Sequence, residues 1–265
     1  VPLPMGVYDI IVFNRSFNDF SNIAFRGNSY ETLEAYARKV ETRVDKKTRV
    51  ETRTIISSPD ELAAATLEGF TVTEDMLGNY SQTTYGRTAP SRSSEETPDG
   101  LYHLHFVPKK LTREVSAVLH IEGLNNIRSA TCRLGGVAES IFLATGKTSA
   151  NTVTQEFTPS NPEFSPGSPF NGTLSCEFEI FGLNVIDNNN LHLDALLVDG
   201  KTEFEGDCTN VKITENDDGT GSVTLILEAS TEKVPDVKPE GGAGSGFDVD
   251  VDGWGNEINT DIPIN

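Results

Sequence analysis

The residue pattern best suited to chemistry is a run of alternating aspartates near the C-terminal end of the chain. Asp248, Asp250 and Asp252 occupy the first, third and fifth positions of a calcium-binding loop, and a glycine follows at the sixth. The twelfth position of such a loop is a bidentate glutamate, whereas this chain has Asn259 there. Two interpretations therefore stay open: weak calcium binding, and an amphipathic strand whose three carboxylates face water. The missing glutamate favours the strand.

Three histidines form a second candidate for a metal site. His103 and His105 share one face of a predicted strand, and His120 lies in the next predicted strand. No Asp or Cys stands at a spacing that would complete a ligand set with them. We therefore expect three separate histidines at the surface or near a domain junction, and no cofactor.

Motifs for catalysis are absent from the sequence. The glycine-rich run at 242–246, GAGSG, matches neither a nucleophile elbow nor a phosphate loop. With 40 acidic residues an acid pair for glycoside hydrolysis stays open, but a sequence does not place two carboxylates face to face. Cys132, Cys176 and Cys208 lack the CxxC spacing of zinc sites, so we expect small buried side chains, with a Cys176–Cys208 bridge as the alternative. We predict that the protein is not an enzyme.

Charge and composition restrict the partners. The net charge of −19 argues against nucleic acid as a partner, because phosphate binding needs a dense surface of Lys and Arg. No apolar run approaches the roughly 20 residues of a membrane-spanning helix. Hydrophobic residues make up 36% of the chain and include 14 Phe, a composition typical of a globular protein rich in β-structure.

The stretch from Leu101 to Leu124 organises these candidate residues along the chain. It predicts two strands, at 101–107 and 115–122, joined by a polar corner that begins at Pro108. We place a domain boundary near Leu111 and predict domains at 1–111 and 112–265. In the second domain, alternating apolar residues separated by turn signals predict a β-sandwich. Its eight strands are Asn126 to Leu134, Ser140 to Thr145, Thr152 to Phe157, Gly172 to Phe181, Leu191 to Val198, Lys201 to Phe204, Cys208 to Thr214 and Gly221 to Ala229.

The first domain is less regular in sequence. Val7 to Phe13 predicts a strong strand. If one of its partner strands belongs to an upstream segment that is missing, the strand at Val7 to Phe13 has an open edge. Ser29 to Val40 fits a helical face and a strand face about equally well. Ser58, with a proline after it and Glu61 three residues later, predicts a short helix that ends by Leu67. Val1 is not an initiator, so we expect the natural product to extend upstream.

Several segments resemble the lipoproteins of Bacteroides-type bacteria related to FimB-type fimbrial anchor and accessory subunits. The resemblance implies a mainly β fold of two transthyretin-like antiparallel β-sandwich domains in tandem, with one or two short helices. It spans almost the whole chain and involves strand signatures only. The segments that carry it are VYDIIVFN, SYETLEAYA, GLYHLHFVPKKLT, VSAVLHIEGLNNIRSA, GGVAESIFLATG, GTLSCEFEIFG, ALLVDGK and GFDVDVDGWGNEINTDIPI.

The same resemblance implies a function at the cell surface. It implies export as a lipoprotein, attachment to the outer membrane through a lipidated N-terminal cysteine that would lie upstream of Val1, and other fimbrial subunits or surface proteins as partners. Assembly would proceed by addition of an extended strand to a neighbour's sheet. The alternative is a surface adhesin or glycan-binding module that uses calcium at the aspartate run, with Trp254 stacking on a sugar.

Overall fold

The computed structural model describes residues 3–44, 52–77, 94–96, 102–184, 189–217 and 223–239. Within these ranges the chain consists of β-strands and three 3-10 turns of three or four residues. The strands of the first half are β1 Gly6–Phe13, β2 Ile23–Arg26, β3 Glu34–Ala37, β4 Lys39–Val44, β5 Thr52–Ile56, β6 Ala63–Val72, β7 Ser94–Glu96, β8 Tyr102–Leu104 and β9 Lys109–Lys110. Those of the second half are β10 Arg113–Glu122, β11 Ile127–Ala138, β12 Ser140–Phe142, β13 Thr152–Phe157, β14 Asn161–Phe164, β15 Asn171–Ile180, β16 Leu191–Leu197, β17 Glu203–Asp207, β18 Thr209–Asp217 and β19 Val223–Ser230.

The two largest sheets form a β-sandwich. One has five strands in the order β14-β15-β10-β19-β18, and the other has six in the order β17-β16-β11-β13-β5-β4. Strands of both sheets bury every second residue, and these side chains belong to one hydrophobic cluster. Phe157 of the six-stranded sheet and Phe178 of the five-stranded sheet stack with ring centroids 4.3 Å apart. The predicted fold class, mainly β with antiparallel sandwich packing, is confirmed; β10–β19 and β13–β5 are parallel pairs.

Two three-stranded sheets hold most of the first half. Their orders are β1-β6-β9 and β12-β3-β2. Of the two structures open for Ser29 to Val40, the strand is the one adopted at Glu34–Ala37, because β3 pairs with a strand on each side. Apolar side chains from this half, including Ile23, Ile56 and Leu62, join the same hydrophobic cluster as the sandwich. No helix within the described ranges is long and apolar enough to cross a membrane.

Strand pairing crosses position 111 at two places. β12 pairs with β3, and β13 pairs with β5. Backbone contacts continue the connection, since the amide of Leu143 donates to the carbonyl of Leu33 at 3.0 Å. The division into 1–111 and 112–265 stays a prediction, and any such boundary includes these two shared ladders in its interface.

A buried ionic group strengthens the β2–β3–β12 sheet. Arg26 donates two hydrogen bonds to the carboxylate of Glu34, from Nε at 2.6 Å and from Nη2 at 3.0 Å, and the hydroxyl of Ser140 donates to the same carboxylate. Glu139 lies 3.4 Å from the outer guanidinium nitrogen. The hydrogen bonds from Arg26 lower the pKa of Glu34 below its ordinary value, although burial acts in the opposite direction. Sequence positions more than 100 residues apart are thus held by one carboxylate.

The prediction of a short helix that starts at Ser58 is wrong. Residues 57–62 are irregular, and the following residues belong to β6. Ser58 does not cap a helix; its hydroxyl instead accepts a bond from the amide of Glu179 at 2.9 Å, and Asp60 accepts one from the amide of Asn22 at 2.7 Å. β6 pairs with β1 on one side and β9 on the other, so sheet pairing overrides the local capping signal.

The predicted strand at 101–107 is also shorter than expected. It ends at Leu104, and the two lysines of the predicted corner form β9 against Ala63 and Ala64. A further strand, β14, was not predicted because Pro162 lies within it; as the edge strand of its sheet it tolerates a proline.

Candidate interaction edge

The two candidate metal sites of the sequence differ in whether the structure describes them. Asp248, Asp250 and Asp252 lie outside them, so the calcium hypothesis stays a prediction. His103, His105 and His120 are exposed, and none belongs to a close group of metal-ligating side chains in the part of the chain that the structure describes. His120 lies on β10 opposite Thr173 and Ser230.

The cysteines are free thiols in apolar surroundings. Cys132 is buried, and Cys176 and Cys208 are half-buried within or against the hydrophobic cluster. Burial raises the pKa of Cys176 and of Cys208 to about 11 and raises that of Cys132 as well. The alternative of a Cys176–Cys208 bridge is therefore wrong, and the thiols are poor nucleophiles at neutral pH.

The outer edge of β1 is open among the described residues and is bordered by exposed apolar side chains. β1 has eight residues and is the terminal strand of its sheet, with β6 on its inner side and no paired neighbour on the other side among the described residues. Apolar side chains are exposed along and next to it: Met5 at 58%, Val7 at 70% and Phe17 at 50%. An edge of this kind offers unpaired backbone N–H and C=O groups to another strand.

The local sequence keeps β1 regular. Between Tyr8 and Ile10 the partner strand advances by three residues instead of two, so the bulge lies in β6. Gly69 supplies the positive φ of +66° that the bulge requires, and its amide donates to the carboxylate of Asp9 at 2.8 Å. The one acidic side chain of β1 therefore serves the bulge on the inner side, and it does not guard the outer edge.

A cluster of four aromatic rings anchors the end of β1. Phe13, the last residue of the strand, stacks on Phe25 with centroids 5.5 Å apart, and Phe17 meets Phe25 edge-on at 4.6 Å. Phe20 is buried under them, whereas Phe17 remains half exposed. Aromatic pairs of this geometry each add about 0.5–1.5 kcal/mol beyond area burial. The strand is thus held rigidly at one end.

The other described sheet edges carry features that oppose strand addition. β9 consists of two lysines, β14 contains Pro162, and β17 exposes three acidic residues. The edge strands β2, β7, β8 and β12 have only three or four residues. The last two edges are longer but charged: β4 contains Lys39, Glu41 and Arg43, and the nine-residue β18 contains Lys212, Glu215 and Asp217. Short strands, prolines and charges are the usual means by which proteins prevent pairing at an edge. β1 is one residue shorter than β18, but it contains neither lysine nor proline and has a single acidic residue, which makes its edge the best suited to main-chain pairing among the described strands.

These features define a mainly β protein with a sandwich core and, among the described strands, a regular edge strand, β1, without lysine or proline. The chain belongs to the family described as Domain of unknown function (DUF5119), whose profile matches residues 1–158. A search of curated proteins found no match to the sequence.

Three crystal structures similar to the chain are each named "putative adhesin". The first, from Bacteroides ovatus, has 16% sequence identity and a TM-score of 0.49, and the alignment covers 77% of this chain and 65% of that one. The second, from Bacteroides thetaiotaomicron, has 14% identity, a TM-score of 0.37 and coverages of 77% and 59%. The third, from Bacteroides ovatus, has 10% identity, a TM-score of 0.31 and coverages of 77% and 55%. The aligned part of the chain thus spans between 55% and 65% of the length of these structures.

Proposed function

We propose that the protein is a cell-surface structural protein, a fimbrial anchor or accessory subunit, that assembles through β-strand addition at the edge of β1. The observation that carries the proposal is the contrast between β1 and the other described edges. β1 offers eight residues of regular backbone, with exposed Met5 just before it and exposed Val7 within it. The other described edges are short, contain proline, or carry lysine or several acidic residues, as the nine-residue β18 does.

Both the backbone and the side chains of this edge would contribute to strand addition. Backbone hydrogen bonds along β1 would provide affinity, and the exposed apolar side chains would select the register of the added strand. The partner strand would have apolar residues at alternate positions, matching Val7 and the half-buried side chains from Ile10 to Phe13. No catalytic step is part of this function.

The fimbrial part of the proposal is supported by the strand signatures described above, which resemble FimB-type anchor and accessory subunits. The resemblance also supports export as an outer-membrane lipoprotein, held by a lipid on an upstream cysteine. Mass spectrometry of the N-terminal peptide from the membrane fraction tests the anchor: we expect a lipidated cysteine. Full-length protein that remains in the cytoplasmic fraction without lipid would contradict surface attachment.

The strand-addition proposal is tested by site-specific photo-crosslinking in the bacterium that produces the protein. A photoreactive amino acid replaces Val7 in one variant and Phe170 in another; both positions are exposed, at 70% and 59%. Phe170 lies between β14 and β15, away from the β1 edge in the chain, and serves as the matched control. We expect a discrete adduct from position 7, joined to an extended segment of another subunit, and none from position 170.

Further substitutions decide whether the crosslink reports strand pairing. Val7→Lys places a charge at the edge and should abolish assembly, whereas Phe170→Lys should leave it intact. Equal adducts from positions 7 and 170, or assembly that tolerates Val7→Lys, would refute the proposal.

A surface adhesin is the second candidate. It is motivated by the aspartate run at 248–252 with Trp254 close behind it, residues whose side chains can bind calcium and stack on a sugar. Glycan-array binding that depends on calcium would favour this candidate, and an array without signal in the presence and absence of calcium would remove it.

A further inference from the structure

A group of polar side chains lies on the outer face of the six-stranded sheet, on β16 and β17. His192 and Asp194 are two residues apart and so project from the same face of β16, opposite to the buried Leu191 and Leu193. In the β16–β17 ladder His192 is directly opposite Asp207, and Asp194 is directly opposite Glu205. The register therefore places one imidazole and three carboxylates on one small area of the sheet.

The hydrogen bonds of His192 leave two acceptor atoms facing each other. Its Nδ1 lies 2.9 Å from a carboxylate oxygen of Asp207, which only accepts hydrogen bonds when ionised, so Nδ1 carries the proton. In the neutral imidazole the lone pair of Nε2 then points at Oδ1 of Asp194, 3.2 Å away. Two lone pairs at this distance require a proton or a cation between them.

Neighbouring charges hold Asp194 in position and leave the area negative. Arg133 of β11 binds Oδ2 of Asp194 at 2.5 Å and Glu156 at 3.0 Å, so Oδ1 of Asp194 remains directed at the imidazole. Arg133 contacts two carboxylates, those of Glu156 and Asp194, and the carboxylates of Glu205 and Asp207 lie opposite Asp194 and His192 on the neighbouring strand. A dication would offset the excess negative charge better than one proton would.

We propose that His192, Asp194 and Glu205 form a binding site for a divalent transition cation such as Zn²⁺, with Asp207 as the positioning residue. One ligand atom from each of the three side chains lies within 4.8 Å of the others. Metal bonds of about 2.0–2.1 Å place tetrahedral ligand atoms about 3.3 Å apart, and the 3.2 Å between Nε2 and Oδ1 already matches this separation. Glu205 is exposed and has the freedom to complete the set.

Asp207 and Arg133 hold the ligand atoms of the site in position. Asp207 accepts the Nδ1 proton and so fixes the tautomer in which Nε2 is a ligand, the arrangement found behind many metal-bound histidines. Arg133 fixes the carboxylate of Asp194 in the same way from the other side. Three protein ligands leave the fourth tetrahedral position open to water or to a side chain from another molecule.

Titration calorimetry of the full chain with Zn²⁺ tests the site. We expect one saturable site in the wild type, a loss of affinity of at least about 100-fold in His192→Ala and in Glu205→Gln, and a loss of about 10–100-fold in Asp207→Asn. His120→Ala is the matched control, because His120 is an exposed histidine on the other large sheet, and it should leave the affinity unchanged. Unfolding curves of each variant without metal check the fold, and Glu205→Gln changes only an exposed side chain.

Cobalt spectroscopy identifies the donor atoms. Co²⁺ in the site should give visible bands of four-coordinate geometry without thiolate charge-transfer absorption, and Zn²⁺ should displace it. Zn²⁺ binding that is identical in wild type and His192→Ala, thiolate absorption from the cysteines, or no binding at millimolar Zn²⁺ would each overturn the proposal. In the last case a proton, and not a metal ion, lies between Nε2 of His192 and Oδ1 of Asp194.

Discussion

Replacing Glu34 by glutamine removes the charge from a buried carboxylate while keeping its size and shape. The side chain of Glu34 is 10% exposed and that of its partner Arg26 is 44% exposed. Hydrogen bonds to charged groups contribute about 1.5–3 kcal/mol each, but solvent screening at the half-exposed guanidinium reduces this value. We expect Glu34→Gln to lower the free energy of unfolding by about 1–2 kcal/mol at pH 7.

Urea denaturation monitored by circular dichroism measures this loss, with Glu215→Gln as the control. Glu215 pairs with Arg113 at 2.9 Å, a distance close to that of the Arg26–Glu34 pair, but its side chain is 65% exposed and that of Arg113 is 47% exposed. An exposed pair contributes at most about 0.5–1 kcal/mol. Equal losses in the two variants would refute the view that burial makes the Glu34 pair stronger.

The pH dependence provides a second measurement on the same variant. Because the pKa of Glu34 is lower in the folded protein than its ordinary value of 4.5, the unfolded chain binds the proton first as the pH falls. The stabilisation by Glu34 is complete above about pH 4.5 and is lost as the pH drops through the folded-state pKa. The difference between wild type and Glu34→Gln should therefore be full at pH 7 and shrink in acid; a difference that persists unchanged at pH 3 would contradict the assignment.

Three further predictions concern the core and the turns. Burial raises the pKa of Cys176 from 9.0 to about 11. Iodoacetamide at pH 8 should therefore alkylate this thiol at least about tenfold more slowly in the folded protein than in urea. The unfolded chain loses the thiol proton first as the pH rises, so the free energy of unfolding should decrease between about pH 9 and pH 11. Gly27→Ala should lower the free energy of unfolding by more than about 2 kcal/mol, because the new methyl group would press against the carbonyl of Thr32. Gly69→Ala is the control: Gly69 also has a positive φ but is in open space, so this substitution should cost only about 1–2 kcal/mol in urea unfolding. Phe178→Ala removes one ring of the stack between the two large sheets and should cost about 3–5 kcal/mol, measured by the same unfolding curves.

The sequence predicts the sandwich well where one face of a strand is buried. β10, β13, β15 and β16 alternate apolar with polar residues and are flanked by turn residues, so their positions were predicted within about two residues. The signal fails where a strand depends on distant pairing. The residues after Ser58 have a helix-capping pattern, yet their neighbours in space are β1 and β9.

The two candidate sites also differ in how far local sequence patterns predict them. The strand β1 was predicted from its apolar residues at Val7 to Phe13, whereas its open edge is seen only in the strand order, in which β1 pairs with β6 alone among the described residues. His192 and Asp207, by contrast, are 15 residues apart in sequence, and nothing in their spacing indicates that they are opposite each other. Cross-strand register decides which polar side chains meet, and register is a property of the ladder rather than of either strand alone.

The position of β19 has a consequence for the order in which the chain becomes structured. It is an inner strand of the five-stranded sheet, parallel to the central strand β10, although paired residues of the two strands, such as Val115 and Leu225, are 110 positions apart in the sequence. During synthesis, β10 and β15 can pair early, but the sheet remains incomplete until Val223–Ser230 has emerged. Long-range pairing of this kind slows folding. While the residues between β10 and β19 are being synthesised, the inner edge of β10 is uncovered and needs protection from other chains.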